Sequence, residues 1–568
     1  AWGRITVPGN WQTQGYGQQV YTNVAYPALA HYHFKRPIVP FDSTAAVDVE
    51  TGTYRKAFAL PASWDQPGER FVTLLLHAAG PACRVFVNGV YVGSCKDSMV
   101  GSEFDLSVAS DTLVFGDGAA KNVLAVEVVR WADAHFMEDQ DQWWFSGLHR
   151  SVELQSRPYV TLQELRATPE VHLGAGAALG RPPAVLRVGV HFWIKRALLQ
   201  DVRLNYGDFY TIRTVLYDPD GRAVYDEDEE VIIEPTGPAA AGEWADAPFR
   251  FARSAGNVGR PPASGSISYA TAVALESVEP WSAERPALYT LGVELVRTFD
   301  GTVLQGEVAR VGFRDVRVDR GRLCVNGAPI VVCGANRHEH SPRGGKTVAA
   351  EETWTDLVTM KRNNFNAVRC CHYPNAFHLY DLASELGLYV CDEANIETHG
   401  FTQSSAFSLL ATLPRWRAMF LQRVQNMARR TVNFPCVVLH SLGNESGTGP
   451  NFDACSAWVR GYDPTRPVQY EGGGRGGDCP LVLGDGQGAE SLTDIICPMY
   501  SSAKDIEAVV VRHSKGVDKR PLVLCEYAHA MGNSNGGLDR YWELFWRTDG
   551  EYRRLQGGFV WDWIDQGL

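Results

Sequence analysis

The chain has 568 residues, more than one hydrophobic core supports, so about three or four domains are expected. Its 45% hydrophobic and 21% charged residues are typical of a globular protein. A net charge of -12 argues against a nucleic-acid partner, because phosphate binding depends on clustered Lys and Arg. No apolar stretch reaches the roughly 18 residues that span a bilayer, so no membrane partner is predicted.

The cysteine pattern predicts free thiols. None of the twelve cysteines forms a CxxC pair, and several, Cys333, Cys391, Cys497 and Cys525, lie in apolar runs, where they are interpreted as small buried side chains. This usage favours a reducing compartment and hence a cytoplasmic location. The first residues, AWGRITVPGN, contain neither an initiator Met nor a signal-peptide pattern, which predicts a processed product or a fragment and leaves targeting open.

The first part of the chain, up to about residue 316, has only β-type patterns. Short alternating apolar runs are separated by turns, and tight hairpins are predicted at three dipeptides whose residues tolerate a positive φ: Asn88-Gly89, Asp220-Gly221 and Asp300-Gly301. Two β-sandwiches are the simplest interpretation.

Two boundaries divide this region, one near Arg157-Pro158 and one near residue 316. They predict domains at 1–158, 159–316 and 317–568. The Gly-, Pro- and Ala-rich stretches at 173–183 and 236–265 are predicted to be long surface loops of the second domain.

From residue 317 onward, short apolar strands alternate with amphipathic segments. Helical spacing is found in EETWTDLVTMKRN, with Trp354 and Leu357, and in RWRAMFLQRVQNMARR, with Phe420 and Val424. Eight strands with helical connections predict a (β/α)8 barrel of about 250 residues. The strands are predicted at 329–334, 366–370, 388–394, 437–442, 467–471, 494–500, 521–527 and 557–563. Since the chain stops at Leu568, the barrel is expected to be truncated after strand eight.

Polar side chains follow the predicted barrel strands, at the end where barrel enzymes assemble their sites. In strand order, the candidates are His338; Arg369 and His372; Glu397 and His399; Asn444 and Glu445; Met499 and Tyr500; Glu526 and His529; and Trp561. So many histidines, acids and aromatics at one rim favour a catalytic pocket. A polar rim without chemistry is the alternative.

Two glutamates at the ends of strands four and seven suit glycoside hydrolysis. One carboxylic acid protonates the leaving oxygen while the other attacks the anomeric carbon, and retaining enzymes hold the two about 5–5.5 Å apart. Arg369 is positioned to keep Glu526 ionised by charge pairing, and Trp561 suits the apolar face of a sugar ring. The pair Glu445 and Glu526 is therefore predicted to be catalytic.

A metal site is also considered at Glu397-Thr398-His399, because residues two apart at a strand end can point the same way. Oxygen ligands with one imidazole fit Mg²⁺ or Mn²⁺ better than a thiolate-binding metal. The motif RHEH is not HExxH, and the chain has no P-loop, no GxGxxG after a strand and no GxSxG. The chain therefore lacks the motifs of zinc proteases, of phosphate-binding and dinucleotide-binding proteins, and of serine hydrolases.

At these residues the chain resembles the large bacterial-type β-galactosidase of glycoside hydrolase family 2. The similarity extends over essentially the whole chain and includes VPGNWQTQGYG, EDQDQWWFSGLHR, GANRHEHSPRGG, YVCDEANIETHG, SLGNESGTG, LCEYAHAMGNS and LQGGFVWDWIDQ. The resemblance implies a jelly-roll domain, an immunoglobulin-like sandwich and a catalytic (β/α)8 barrel. It also implies retaining hydrolysis of terminal β-D-galactosides such as lactose, and a homo-oligomer in the full-length form.

Carried over by position, the resemblance makes Glu445 the general acid/base and Glu526 the nucleophile. Mg²⁺ would be held by Glu397, His399 and Glu445, and Na⁺ in part by Asp141. The galactosyl pocket would be lined by Asn23, Asp141, His338, His372, Asn444, Met499, Tyr500, His529 and Trp561. Because Asn23 and Asp141 belong to the first domain, that domain is expected to complete the pocket.

The chain departs from the family pattern in three respects. His440 stands where an apolar aromatic is usual, and Cys371 replaces a serine beside His372. The family's chains also continue past strand eight with a closing helix and two further β domains. A fragment with an exposed apolar barrel surface and poor activity alone is therefore expected.

Other activities are kept as alternatives. A β-glucuronidase or β-mannosidase of the same family is the near one, although a glucuronidase should offer a cation to the sugar carboxylate and no obvious Lys is found at the rim. An inactive sugar-binding fragment, in which both glutamates only hydrogen-bond the ligand, is the other.

Overall fold

The computed structural model describes residues 2–27, 50–116, 118, 121–174, 181–195, 209–232, 264–402, 408–473, 492–513, 519–532 and 534–568. The predicted loops at 173–183 and 236–265 lie mostly outside these ranges. Within the ranges, the helices are all too short or too polar to cross a membrane. The cysteines of the described residues are all free, as predicted, and only Cys333 is not fully buried.

The first unit is an antiparallel β-sandwich. Its main sheets have the strand orders β3-β8-β5-β6 and β11-β4-β7. Both contribute to one core that contains Leu74, Val85, Phe104 and Val126. Strands β1 to β11 are Gly9–Asn10, Tyr21–Thr22, Thr51–Phe58, Arg70–Leu76, Ala82–Val87, Val90–Cys95, Ser102–Asp105, Asn122–Val129, Gln142–Trp143, Gly147–Leu148 and Val152–Pro158.

The second unit is also an antiparallel sandwich. Its sheets have the orders β12-β13-β16 and β15-β14-β17-β18, and they enclose Leu186, Ile212 and Leu291. Strands β12 to β18 are Val160–Val171, Ala184–Lys195, Phe209–Tyr217, Ala223–Ile232, Ser264–Leu275, Tyr289–Arg297 and Thr302–Val311. The two predicted β-sandwiches are thus confirmed.

The predicted hairpins are present. Asn88 and Gly89 join β5 to β6 with φ values of 50° and 83°, which is the left-handed geometry that a two-residue hairpin needs. Gly221 and Gly301 have φ values of 80° and 70° in the turns that join β14 to β15 and β17 to β18.

The third unit is built on parallel strands. A small sheet, β19-β20-β21, precedes a seven-stranded parallel sheet with the order β26-β25-β24-β23-β22-β28-β27. Strands β19 to β28 are Val316–Asp319, Arg322–Val325, Ala328–Pro329, Val332–Arg337, Ala367–Cys370, Tyr389–Glu393, Val437–Ser441, Val468–Gln469, Leu522–Tyr527 and Leu555–Val560. The strand order follows the expected barrel, with the first and last parallel strands paired.

The predicted sixth barrel strand, residues 494–500, differs from the expectation. It is not a regular strand, and isolated contacts connect it to its neighbours: Asp494 N donates to Val468 O at 2.7 Å and Tyr500 N donates to Glu526 O at 2.9 Å. Pro498 lies in the middle of the segment, and proline has no N–H to donate to a ladder. The segment therefore connects to β26 and β27 through isolated hydrogen bonds and not through a continuous ladder.

The helices pack around this sheet. Helices α1 to α8 are Ala350–Arg362, Phe377–Leu386, His399–Thr402, Leu409–Thr412, Arg417–Thr431, Pro450–Tyr462, Ala503–His513 and Leu538–Phe545. In α5, Phe420 and Val424 are fully buried, as the spacing predicts. Trp354, which the spacing groups with Leu357, is 47% exposed, whereas Leu357 and Met360 are fully buried on the inner face of α1.

Trp281 connects the second sandwich to the barrel. It precedes β17, is fully buried, and belongs to the same apolar cluster as the barrel strands. Its Nε1 donates to Ser384 O of α2 at 2.9 Å, and its backbone N donates to Phe313 O at 2.8 Å. Burial on both sides makes Trp281 a structural link between the two units.

We expect Trp281→Ala to lower the free energy of unfolding by about 3–5 kcal/mol, because it leaves a large cavity in a packed core. Urea denaturation followed by circular dichroism measures the change. Trp354→Ala is the matched control and should change stability by less than about 0.5 kcal/mol, since that ring is half exposed. Equal effects of the two variants would contradict this role of Trp281.

Candidate active site

Arg369, at the end of β23, is a fully buried cation at the centre of the candidate site. Its Nη1 donates to Glu526 Oε1 at 2.7 Å and to Asn336 Oδ1 at 2.9 Å. Its Nε donates to Glu393 Oε2 at 2.8 Å, and its Nη2 donates to Asn444 Oδ1 at 2.8 Å. One guanidinium therefore holds groups from the ends of β22, β24, β25 and β27.

The charge of Arg369 is maintained by its partners. Burial works against the cation, but the carboxylates of Glu393 and Glu526 outweigh this effect and hold the pKa of Arg369 well above its usual range. Arg369 is therefore a fixed positive charge beside the Glu526 carboxylate, in the placement that the sequence predicts.

Glu526 is the penultimate residue of β27 and is only 3% exposed. Its second carboxylate oxygen, Oε2, accepts a hydrogen bond of 2.5 Å from the Tyr500 hydroxyl. Burial and the charge of Glu526 raise the pKa of Tyr500, so this hydroxyl keeps its proton and stays a donor. His372 Nε2 lies 3.7 Å from Glu526 Oε1. The carboxylate is thus fixed by a cation on one oxygen and a hydroxyl on the other.

Glu445 follows β25 and its side chain is 28% exposed. Its φ of 35° is in the left-handed region, and its backbone N–H donates to Glu471 Oε1 at 2.5 Å. The preceding residue, Asn444, is held by its N–H to Ile396 O at 2.8 Å. This backbone directs a more accessible carboxylate into the same site as the enclosed Glu526.

Glu397, His399 and Glu445 form a cluster whose ligand atoms all lie within 4.8 Å of one another. His399 Nδ1 is 2.7 Å from Glu445 Oε2, and Glu397 Oε2 is buried without a hydrogen-bond partner among the described residues. Burial and the nearby charge of Glu445 raise the pKa of Glu397 well above its usual range. Two carboxylates and one imidazole with an unsatisfied oxygen fit a hard divalent cation such as Mg²⁺ or Mn²⁺.

Histidine and tryptophan rings form another wall of the site. His372 stacks on Trp561 with ring centroids 5.2 Å apart, and His529 stacks on the same indole at 6.1 Å. Burial lowers the pKa of His338 and of His372 well below the usual range. Proximity to the ring of His372 adds to the shift of His338, and the charge of Arg369 adds to that of His372. Both imidazoles are therefore neutral at neutral pH. The structure brings these rings and Glu526 together.

The first unit contacts the barrel beside this site. Strand β2 pairs with β9, which places Asn23 just after β2 and Asp141 just before β9. Asn23 is exposed, and the Tyr21 hydroxyl donates to the Asp141 carboxylate. Gln142 Oε1 accepts from the Tyr373 hydroxyl at 3.1 Å, which links β9 to the barrel rim.

The sodium site stays a prediction. Asp141 is the one ligand that the sequence resemblance implies, and it belongs to neither cluster of metal-binding side chains found among the described residues.

Sequence reasoning assigned no role to three residues at the centre of the network. Glu393 pairs with Arg369 in two hydrogen bonds, Asn336 Nδ2 donates to Cys525 O at 2.9 Å, and Glu471 accepts from the backbone of Glu445. Glu393 and Asn336 stand at strand ends with the other candidates, so position gave a signal for them. Glu471 is the last residue of the strand predicted at 467–471, so the same signal was available for it.

The departure at His440 is compensated inside the barrel. His440 is fully buried, and its Nε2 lies 3.0 Å from Asp463 Oδ2. Burial acts against the Asp463 charge, but Arg466 and His440 outweigh it and hold the pKa of Asp463 well below its usual range. Nε2 of this polar side chain therefore has a partner, whereas its Nδ1 is buried without one among the described residues.

Three family models match the chain. They are described as the sugar binding domain of glycosyl hydrolases family 2 at residues 3–158, glycosyl hydrolases family 2 at residues 209–314, and the TIM barrel domain of the same family at residues 316–568. Together they cover the two sandwiches and the barrel.

Similar solved structures have the same fold. A family 2 glycosyl hydrolase from Bacteroides cellulosilyticus aligns with a TM-score of 0.65 at 18% identity, over 90% of this chain and 59% of that one. A β-glucuronidase from Bacteroides uniformis, β-glucuronidase 2, aligns with a TM-score of 0.69 at 17% identity, over 99% and 62%. At these identities the likeness concerns the fold alone.

Curated relatives are closer in sequence. The β-galactosidase of Psychromonas ingrahamii is 37% identical over 580 residues, and that of Pseudoalteromonas haloplanktis is 38% identical over 576 residues. Each alignment covers 100% of this chain but only 48% and 47% of the relative, so the chain spans about half the length of the curated relatives it matches. The family models, the shared fold and these identities together establish that the chain belongs to glycosyl hydrolases family 2.

Proposed function

We propose that the protein hydrolyses terminal β-D-galactosides with retention of configuration. The observation that carries the proposal is the pair of unlike carboxylates: Glu526, enclosed against a fixed cation, and Glu445, more accessible and beside an imidazole. Retaining glycosidases need one such group as nucleophile and one as proton donor. The names of the curated relatives support galactose as the sugar.

In this mechanism Glu526 attacks the anomeric carbon and forms a galactosyl ester, while Glu445 gives its proton to the departing oxygen. Glu445 then removes a proton from water, whose oxygen attacks the anomeric carbon from the face that the leaving group occupied, and the bond to Glu526 breaks to release galactose and the carboxylate. Arg369 and Tyr500 orient the Glu526 carboxylate, because each donates a hydrogen bond to one of its two oxygens. After the second step Glu526 is again a carboxylate and Glu445 is again a carboxylic acid.

The sugar would lie among the neutral imidazoles and the indole of Trp561. Neutral rings can donate to and accept from hydroxyl groups, and an indole suits the apolar face of the ring. The residues proposed to bind galactose are Asn23, Asp141, His338, His372, Asn444, Met499, Tyr500, His529 and Trp561. Asp141 is proposed to share in a Na⁺ site.

Glu397, His399 and Glu445 would hold Mg²⁺ or Mn²⁺. When bound, the cation supplies a positive charge that stabilises the ionised form of Glu445 and so tunes it as an acid. The unsatisfied, buried oxygen of Glu397 is the support for this assignment.

Two further inferences accompany the proposal, one about the compartment and one about the oligomeric state. The buried, free cysteines support a reducing compartment, for which we infer the cytoplasm. A homo-oligomer is inferred from the sequence resemblance alone and is testable by light scattering of the protein that contains this chain.

We expect Glu526→Gln, made in the longest reading frame that contains the chain, to lower kcat on nitrophenyl β-D-galactoside by about 10⁴-fold or more, because the nucleophile is removed. Mass spectrometry after reaction with a 2-deoxy-2-fluoro galactoside should locate the sugar on Glu526. Glu351→Gln, at an exposed position of α1, is the matched control and should keep the parent rate. Unchanged turnover in Glu526→Gln would eliminate Glu526 as the nucleophile, whereas sugar binding without turnover in the parent protein would favour a sugar-binding protein.

The metal assignment predicts that EDTA lowers turnover and that Mg²⁺ restores it. We expect Glu397→Gln to weaken metal binding by about 10–100-fold, because a charged ligand becomes neutral. Electron paramagnetic resonance of Mn²⁺ titrated into the protein measures this binding without reference to activity. Mn²⁺ bound equally well by both proteins would show that Glu397 is not a ligand.

Substrate preference separates galactosidase from the other activities of the family. We expect kcat/KM for the nitrophenyl galactoside to exceed that for the glucuronide and the mannoside by about 10²-fold or more, since Arg369 is already neutralised by two carboxylates and offers no free cation to a sugar acid. A preference for the glucuronide or the mannoside would overturn the galactoside assignment.

A further inference from the structure

Three side chains at the base of the candidate sugar pocket form a second cluster of metal-binding atoms. The ligand atoms of His338, Cys371 and His372 all lie within 4.8 Å of one another. The three residues are buried, with exposures of 1%, 0% and 2%. Two imidazoles and a thiol form a set of donors typical of zinc sites, unlike the oxygen-rich cluster at Glu397.

The hydrogen bonds fix the tautomers of both histidines. The Tyr373 hydroxyl donates its proton to Gln142 Oε1, so its oxygen accepts from His338 Nδ1, 3.1 Å away. His372 Nδ1 donates to Glu393 Oε1 at 2.8 Å. In both neutral rings the Nε2 atom therefore carries the lone pair, which is the form that binds a metal ion.

These contacts also match how metal-binding histidines are supported in proteins. Such a histidine usually donates its other ring N–H to a carboxylate or to another oxygen acceptor, which fixes the orientation of the ring. Glu393 fills this role for His372, and Tyr373 fills it for His338. His338 Nε2 is itself buried without a hydrogen-bond partner among the described residues.

We propose that His338, Cys371 and His372 bind a thiophilic divalent ion of the zinc class, and that this ion competes with the sugar. Binding replaces the thiol proton of Cys371, so one proton is released for each ion bound. Glu526 Oε1, 3.7 Å from His372 Nε2, is the neighbouring oxygen for the fourth position. A metal ion there would cover the carboxylate that attacks the sugar.

The distances require only a small movement. Ligand atoms of a tetrahedral zinc site lie about 3.3–3.7 Å apart, given Zn–N of about 2.0 Å and Zn–S of about 2.3 Å. Ligand atoms that lie within 4.8 Å of one another therefore need to approach by no more than about 1.5 Å. A serine at position 371 would lack the thiolate, so the site depends on this particular cysteine.

The test is a titration of the Mg²⁺-saturated protein with Co²⁺, followed by its absorption spectrum, and then with Zn²⁺ by calorimetry. We expect a thiolate-to-cobalt charge-transfer band, displacement of Co²⁺ by Zn²⁺, and weaker binding of both ions in the presence of galactose. Cys371→Ser should remove the band and weaken Zn²⁺ binding by at least about tenfold. Cys333→Ser, which removes a half-buried thiol elsewhere, is the matched control and should keep both.

His338→Gln provides a second variant, should Cys371→Ser fail to fold, and is expected to weaken Zn²⁺ binding to the same extent. Absence of the band in the parent, or its persistence in Cys371→Ser, overturns the proposal. Zn²⁺ that binds without a thiolate band occupies the Glu397 cluster instead, and this result also overturns it. The inhibition by Zn²⁺ rests on the proposed function, whereas the band and the calorimetry do not, so the two proposals can fail separately.

Discussion

A single buried cation, Arg369, determines how the rest of the site is arranged. An isolated charge in a protein interior costs several kcal/mol even after relaxation, so the chain must surround it with acceptors of good geometry. Glu393, Glu526, Asn336 and Asn444 supply them from four different strand ends. Because each partner is itself fixed by its strand, the barrel rim cannot rearrange without leaving the guanidinium unpaired.

A second buried arginine connects the first unit to the site. Arg423 of α5 donates to Glu138 Oε1 at 2.7 Å, and Asn395 Nδ2 donates to the same oxygen at 3.0 Å. The backbone of Glu397 is held on both sides, by Met137 O at 2.9 Å and by the N–H of Asp139 at 3.1 Å. The stretch before β9 therefore orients a proposed metal ligand of the barrel.

Much of this arrangement could be predicted from the sequence, because strand ends of a parallel barrel converge and their polar residues can be read in order. Glu445, Glu526 and Arg369 were identified in this way, and the structure brings Arg369 against Glu526. Side-chain pairing is less accessible to such reasoning. The sequence places Glu393 at a strand end but cannot tell that it pairs with Arg369, and spacing alone cannot tell that the indole of Trp354 faces outward.

The backbone conformation of Glu445 is energetically unfavourable and lowers the stability of the fold. A non-glycine residue in the left-handed region costs of order 1–3 kcal/mol, and here the hydrogen bonds of Asn444 and of Glu471 hold it in place. Glycine would adopt this conformation without that penalty. Selection for stability alone would thus favour glycine at this position, so the retained acid agrees with the proposed role of Glu445.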